Sequence, residues 1–249
     1  SFQKPDKIVL QKATDFEGQF EFRPLEPGYG LTIGNALRRV LLSSLEGYAI
    51  VGIKIEGVDH EFATMKGITE DVTEIILNLK QVRFKKHVEH DVANEKISLS
   101  IKNRTEFTAG MLGEVSQHFQ VMNPELVICT MDSSSKMEIE LTIARGRGYI
   151  PAEENKVKDA PFGYIAIDSI HTPIKNVKYA IENYRVEQRT DYEKLILEVA
   201  TDGTIHPEDA VKQASRILIQ HLMIITDENI TFDNKEDKKE DVVDEHVLQ

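Results

Sequence analysis

Between Phe22 and Ser44, a turn built from Pro24, Pro27, Gly28 and Gly30 runs straight into a helix that is apolar on most of its circumference. Ile33, Ala36, Leu37, Val40, Leu41 and Leu45 recur at the i, i+3, i+4, i+7 spacing of one buried stripe. Leu42 falls outside that stripe, and Arg38 and Arg39 stand side by side in mid-helix. A surface helix normally keeps one polar face in water. This one keeps almost none, so it must be covered on more than one side. One stripe serves the chain's own core. The remainder calls for a partner chain, and the two arginines call for acceptors on it, because charges within an apolar helix are expensive unless paired.

A second helix of the same kind is expected near the other end. Pro207 suits the first helical position, and Glu208 and Asp209 enrich the first turn. Ala210, Val211, Ala214, Ile217, Leu218, Leu222 and Ile225 form its stripe, widened by Ile219, Met223 and Ile224. Two over-apolar helices with short strands between them predict that the terminal segments join as one domain around an insertion. The helices then meet their counterparts across a twofold axis, the commonest closed symmetry.

The intervening pattern is mostly strand. Residues 16–23 alternate around Phe20 and Phe22, and residues 49–56 put Val51, Ile53 and Ile55 on one face. Residues 97–101, 127–129, 138–143, 164–167 and 195–199 are further strands. Thr69 is the expected cap of a short helix with Val72, Ile75, Ile76 and Leu79 as its stripe and Lys80 at its end. Residues 145–151 and 153–159 read as loops, and Asp202-Gly203 as a hairpin-type turn.

Charge limits the function. Net charge is −12, and residues 227–249 hold nine Asp/Glu against three Lys, half of the total. An acidic body with an acidic tail is a poor candidate for gripping a phosphate backbone, and the tail is too polar to fold alone. Apolar runs are too short to span a bilayer, and Lys4, Asp6 and Lys7 interrupt any signal-peptide pattern. A single cysteine, Cys129, cannot form an internal disulfide, which makes a reducing cytoplasm the default.

No arrangement demands catalysis. Gly28, Gly30 and Gly34 miss the dinucleotide fingerprint, and no phosphate-loop lysine follows. His60, His87, His90, His118, His171, His206 and His221 never fall in metal-ligand spacings, so neither metal nor cofactor is expected. Cys129 reads as a small buried hydrophobe. Arg145 and Arg147, in an Arg-Gly-Arg-Gly run, either bind an anion or acidic partner surface or are solvated loop charges.

The motifs resemble the N-terminal domain of the bacterial RNA polymerase alpha subunit family. The resemblance rests on residues 26–30 running into 34–44, on 57–62, 70–80, 145–149 and 186–191, and on 202–205 before the last helix. It implies an α+β fold: a discontinuous dimerisation domain at 1–47 and 168–228, two long helices on a small antiparallel sheet, with a mostly-β domain inserted at 48–167. Residues 229–249 would be an acidic linker, with the family's C-terminal DNA-binding domain absent, so no direct DNA binding is expected. The implied function is non-catalytic: a cytoplasmic homodimer that scaffolds assembly of the β and β′ subunits, with omega and sigma joining in the holoenzyme. By carry-over, Arg38, Arg39 and Leu42 contact β, and Lys80, Ile167 and Arg185 contact a large subunit, chiefly β′. Ile33, Leu37, Val40, Leu41, Leu218, Leu222 and Ile225 are expected at the dimer interface. Two rivals have weaker support: an enzyme using Asp168, His171 and Glu187, and a homodimeric DNA-binding regulator, which would need a basic face.

Overall fold

A computed structural model describes residues 2–232. In chain order the elements are β1 (Lys7–Ala13), β2 (Glu17–Leu25), α1 (Tyr29–Ser44), β3 (Glu46–Ile55), α2 (Val72–Leu79), β4 (Phe84–Lys86), β5 (Asn94–Lys102), β6 (Glu106–Thr108) and α3 (Ala109–Val115). There follow β7 (Phe119–Val121), β8 (Val127–Thr130), β9 (Lys136–Arg147), β10 (Tyr149–Ile150), β11 (Ile165–Ala166), β12 (Ser169–Ile170), β13 (Ile174–Val186), β14 (Arg189–Thr201) and α4 (Pro207–Thr226). The fold is mixed, mostly sheet with few helices. The linker expected at 229–249 lies outside the described residues from 233 onward.

Two hydrophobic cores organise these elements. The first lies between α1, α4 and one face of an antiparallel sheet ordered β1-β2-β14-β13. Alternation in β2 points Phe20 and Phe22 at the helices, where they meet Leu195, Leu197 and Val199 of β14 and Leu37 and Leu41 of α1. The chain enters α1 through Gly28, whose φ of +91° suits glycine, and whose N–H donates to Glu193 at 2.7 Å. Helix therefore begins at Tyr29, four residues before Ile33. Gly30 and Gly34 let α1 lie close on the sheet: a Cβ at Gly34 would stand 2.9 Å from the Tyr179 ring.

The second core fills the space between a sheet ordered β5-β9-β3-β4-β7, with β11 added to β3, and the helices α2 and α3. All four predicted stripe residues of α2 are buried. Its cap is Asp71, which accepts from Glu74 N at 2.9 Å, and not Thr69. Glu70 turns away to accept from Thr130 N at 2.7 Å. Arg145 to Arg147 are strand and not loop, because β9 stays paired to β3 as far as Glu46–Arg147. Asp202-Gly203 makes no hairpin: it carries β14 into α4.

The chain passes between the cores at Gly47 and again at His171, and the two crossings touch. A Cβ on Gly47 would stand 1.8 Å from the His171 carbonyl oxygen. His171 Nδ1 donates to Gly47 O at 3.0 Å, so its Nε2 accepts from Ser169 Oγ at 2.7 Å, and Asn155 donates to that same hydroxyl. Arg83 spans the seam, donating to Ile170 O at 3.2 Å and approaching the Asp202 carboxylate at 3.9 Å.

Candidate functional site

The helices predicted to seek a partner divide their apolar residues between two duties. Leu37 and Leu41 are sealed in the chain's own core, which removes them from any partner surface and corrects that expectation. Their stripe faces Leu195 and Val177. Ile33, Val40 and Leu218 are half-buried at the margin of this core, beside Leu42. Towards its C-terminus α4 is mostly exposed. There Leu222 is 57% exposed, Ile224 79% and Ile225 78%, and on α1 Leu31 is 58% exposed. Scattered exposed leucines are ordinary, but this many large apolar side chains on two packed helices leave apolar surface uncovered on both.

The mid-helix arginines lie on the outside of α1. Arg38 reaches back to the sheet, its Nε donating to Val177 O at 3.3 Å. The Arg39 guanidinium has no hydrogen-bond or ion-pair partner among the described residues. Leu42, one turn on, is half-exposed, so Arg38, Arg39 and Leu42 do share a surface.

The other predicted group does not come together as a unit. Lys80 caps α2 and lies 3.4 Å from Asp168. Ile167, next to Asp168, is only 3% exposed and belongs to the second core, so its side chain offers nothing to a partner. Arg185 sits in the other sheet, on the exposed β13–β14 hairpin, where its Nε donates to Glu187 O at 2.7 Å.

Asp168, His171 and Glu187 form no reaction centre. Asp168 accepts from Ala152 N at 2.8 Å, and that bond, with help from Tyr149 and Lys80, holds its carboxyl below the usual range. Burial pushes the His171 imidazole down and keeps it neutral. Glu187, at φ +56°, forms the tip of the hairpin. Burial raises the Cys129 thiol to about 12, leaving it inert. Among the described residues no cluster of His, Cys, Asp and Glu suits a metal ion, and no helix is long and apolar enough to cross a membrane. Two concavities among the described residues are a groove of about 250 Å³ between Lys12, Gln19, Lys178 and Glu198, and an open hollow of about 430 Å³ beside Gly110, Phe119 and Pro124. Glu17 also lines the groove, and His87 and Glu114 line the hollow.

Some structural polar residues escaped the sequence. Glu95, nearly buried, accepts from Ser116 Oγ and Gln117 N, both at 2.6 Å, and lies 3.1 Å from His118 Nδ1. It thereby fixes the chain leaving α3. The Arg83–Asp202 tie joins residues too distant in sequence for any spacing to announce.

Comparison with known proteins agrees with the motif pattern. A model of the RNA polymerase Rpb3/RpoA insert domain matches residues 53–172, which hold most of the second core. The DNA-directed RNA polymerase subunit alpha of Cytophaga hutchinsonii is 62% identical over 248 residues, covering 100% of this chain and 75% of that protein. Those of Flavobacterium psychrophilum and Bacteroides thetaiotaomicron are 59% and 56% identical with the same coverage. At that identity and coverage the chain belongs to the family of DNA-directed RNA polymerase alpha subunits.

Proposed function

We propose that this chain is a non-catalytic assembly scaffold for a DNA-directed RNA polymerase and acts in transcription as a homodimer. The observation that carries the reading is the apolar surface left uncovered on α1 and α4, where Leu31, Leu222, Ile224 and Ile225 stand in solvent. Burying such surface against a second copy is favourable at about 25 cal/mol per Å², and a twofold axis lets one patch serve both partners. Residues 1–47 and 168–228 then form the dimerising domain, with 48–167 as an insertion, a division supported by the membership of the two cores.

Arg38, Arg39 and Leu42 form the β-subunit contact, and the open guanidinium of Arg39 supports it. Lys80 and Arg185 face β′, while Ile167 contributes only by supporting Asp168 and Lys80 from within. In this reading catalysis belongs to the large subunits. Transcription places the protein in the cytoplasm. Light scattering on the purified chain, alone and with β, tests the reading: a dimer that takes up one β is expected, and a stable monomer that ignores β overturns it.

A further inference from the structure

Segments that are far apart in sequence meet at the C-terminal end of α1. Glu46 opens β3 two residues after the helix and is the cross-strand partner of Arg147. Gly148, at φ +58°, turns the chain so that its Cβ position lies 3.7 Å from Ser43 O. Ser43 in turn donates to Arg39 O at 2.7 Å, one helical turn earlier. Arg39, Ser43 and Arg147 therefore follow one another across a continuous surface formed by the end of α1 and the turn between β9 and β10.

The charges on this surface differ in how firmly they are held. Arg145 is paired with Asp91 and lies 4.0 Å from Glu46, which fixes it against the sheet. Arg147 is 66% exposed on its side chain and reaches Glu46 at 3.5 Å. An exposed pair of that kind contributes roughly 0–1 kcal/mol, so a stronger acceptor displaces it at little cost. The Arg39 guanidinium has no hydrogen-bond or ion-pair partner among the described residues.

We propose that Arg39 and Arg147 are the two cationic contacts of one docking surface, that its occupant is an acidic segment of a partner polypeptide, and that Glu46 parks Arg147 until a partner carboxylate replaces it. The inference rests on the scaffold reading and specifies the chemistry of its β contact. Guanidinium groups bind carboxylates bidentately. A short acidic segment fits within the local positive patch, whereas a nucleic-acid duplex would run on over a chain of net charge −12.

Affinity of the chain for its β subunit, measured at two salt concentrations, tests this with Arg39→Ala, Arg147→Ala, Arg147→Lys and Glu46→Gln. Unfolding midpoints of each variant check that it is folded. Arg147→Ala is expected to weaken binding about tenfold, comparably to Arg39→Ala, and to flatten the salt dependence, with Arg147→Lys intermediate. Glu46→Gln is expected to tighten binding severalfold, a gain that mere loss of a structural ion pair does not produce. Arg147→Ala within twofold of wild type, beside a weakened Arg39→Ala, overturns the proposal and leaves the scaffold reading intact. So does an unchanged or weakened Glu46→Gln. A folded wild-type dimer that ignores β overturns both. Binding of a DNA duplex that Arg147→Ala abolishes assigns the surface to nucleic acid and also overturns the proposal.

Discussion

His171 is neutral because its two ring nitrogens have opposite roles: Nδ1 donates to a carbonyl, and Nε2 accepts from a hydroxyl that itself accepts from Asn155. Protonation would place a donor where Ser169 already donates, in a site that is 2% exposed. Its folded pKa is depressed, so the unfolded chain takes up the proton first. Stability is full above the ordinary imidazole value of about 6.5, falls as pH drops below it, and levels off beneath the lower folded value. Urea unfolding between pH 7.5 and 5 should show that decline, and His171→Gln should be less stable at pH 7.5 with a shallower fall. Equal slopes for the two proteins would falsify this account. Gly34 is a second case where one atom decides. In an open helix Gly→Ala gains about 1 kcal/mol, but here the new methyl would stand 2.9 Å from Tyr179 and 3.0 Å from the fully buried Leu195. Overpacking of this kind costs about 1–3 kcal/mol, so Gly34→Ala should lower the thermal midpoint. Neither residue's role could be read from the sequence, since each depends on a neighbour from a remote segment.

Among the elements, α2 and the strands were the most legible. Alternation located β2, β5 and β9, and a 3.6-residue period located α2 together with all its buried residues. The cap was misplaced because Thr69 and Asp71 are both good cap residues, and only the observed bond to Glu74 N decides between them. Asp71→Ala should accordingly cost about 1 kcal/mol in chemical denaturation, whereas Thr69→Ala should cost less. For α1 and α4, periodicity counted the apolar residues correctly but could not say which face meets which neighbour. Leu37 and Leu41 went to the internal core, and Leu222 and Ile225 remained outside. On the proposed homodimer, that division makes a prediction for α4: Leu222→Glu combined with Ile225→Glu should leave the circular dichroism spectrum and unfolding cooperativity intact while halving the mass seen by light scattering. A double variant that remains dimeric would place the interface elsewhere.

At the scale of the whole molecule, two cores are joined by two adjacent strand crossings and the Arg83–Asp202 tie. The motif order across the chain made the family legible, because many short matches in sequence are specific even where each is weak. The seam was not legible, as Gly47, Arg83, His171 and Asp202 have no shared periodicity. Its geometry has a practical result. Every residue of the first core lies between 20 and 45 or between 174 and 214, and Gly47 and His171 are in hydrogen-bond contact. Replacing residues 48–170 with a short Gly-Ser link should therefore yield a smaller protein, less stable for want of Arg83 beside Asp202, and on the proposed homodimer still twice the chain mass by light scattering. Such an arrangement is a socket: whatever is plugged between the two neighbouring ends can be lengthened, trimmed or exchanged without moving the helices that hold the socket open.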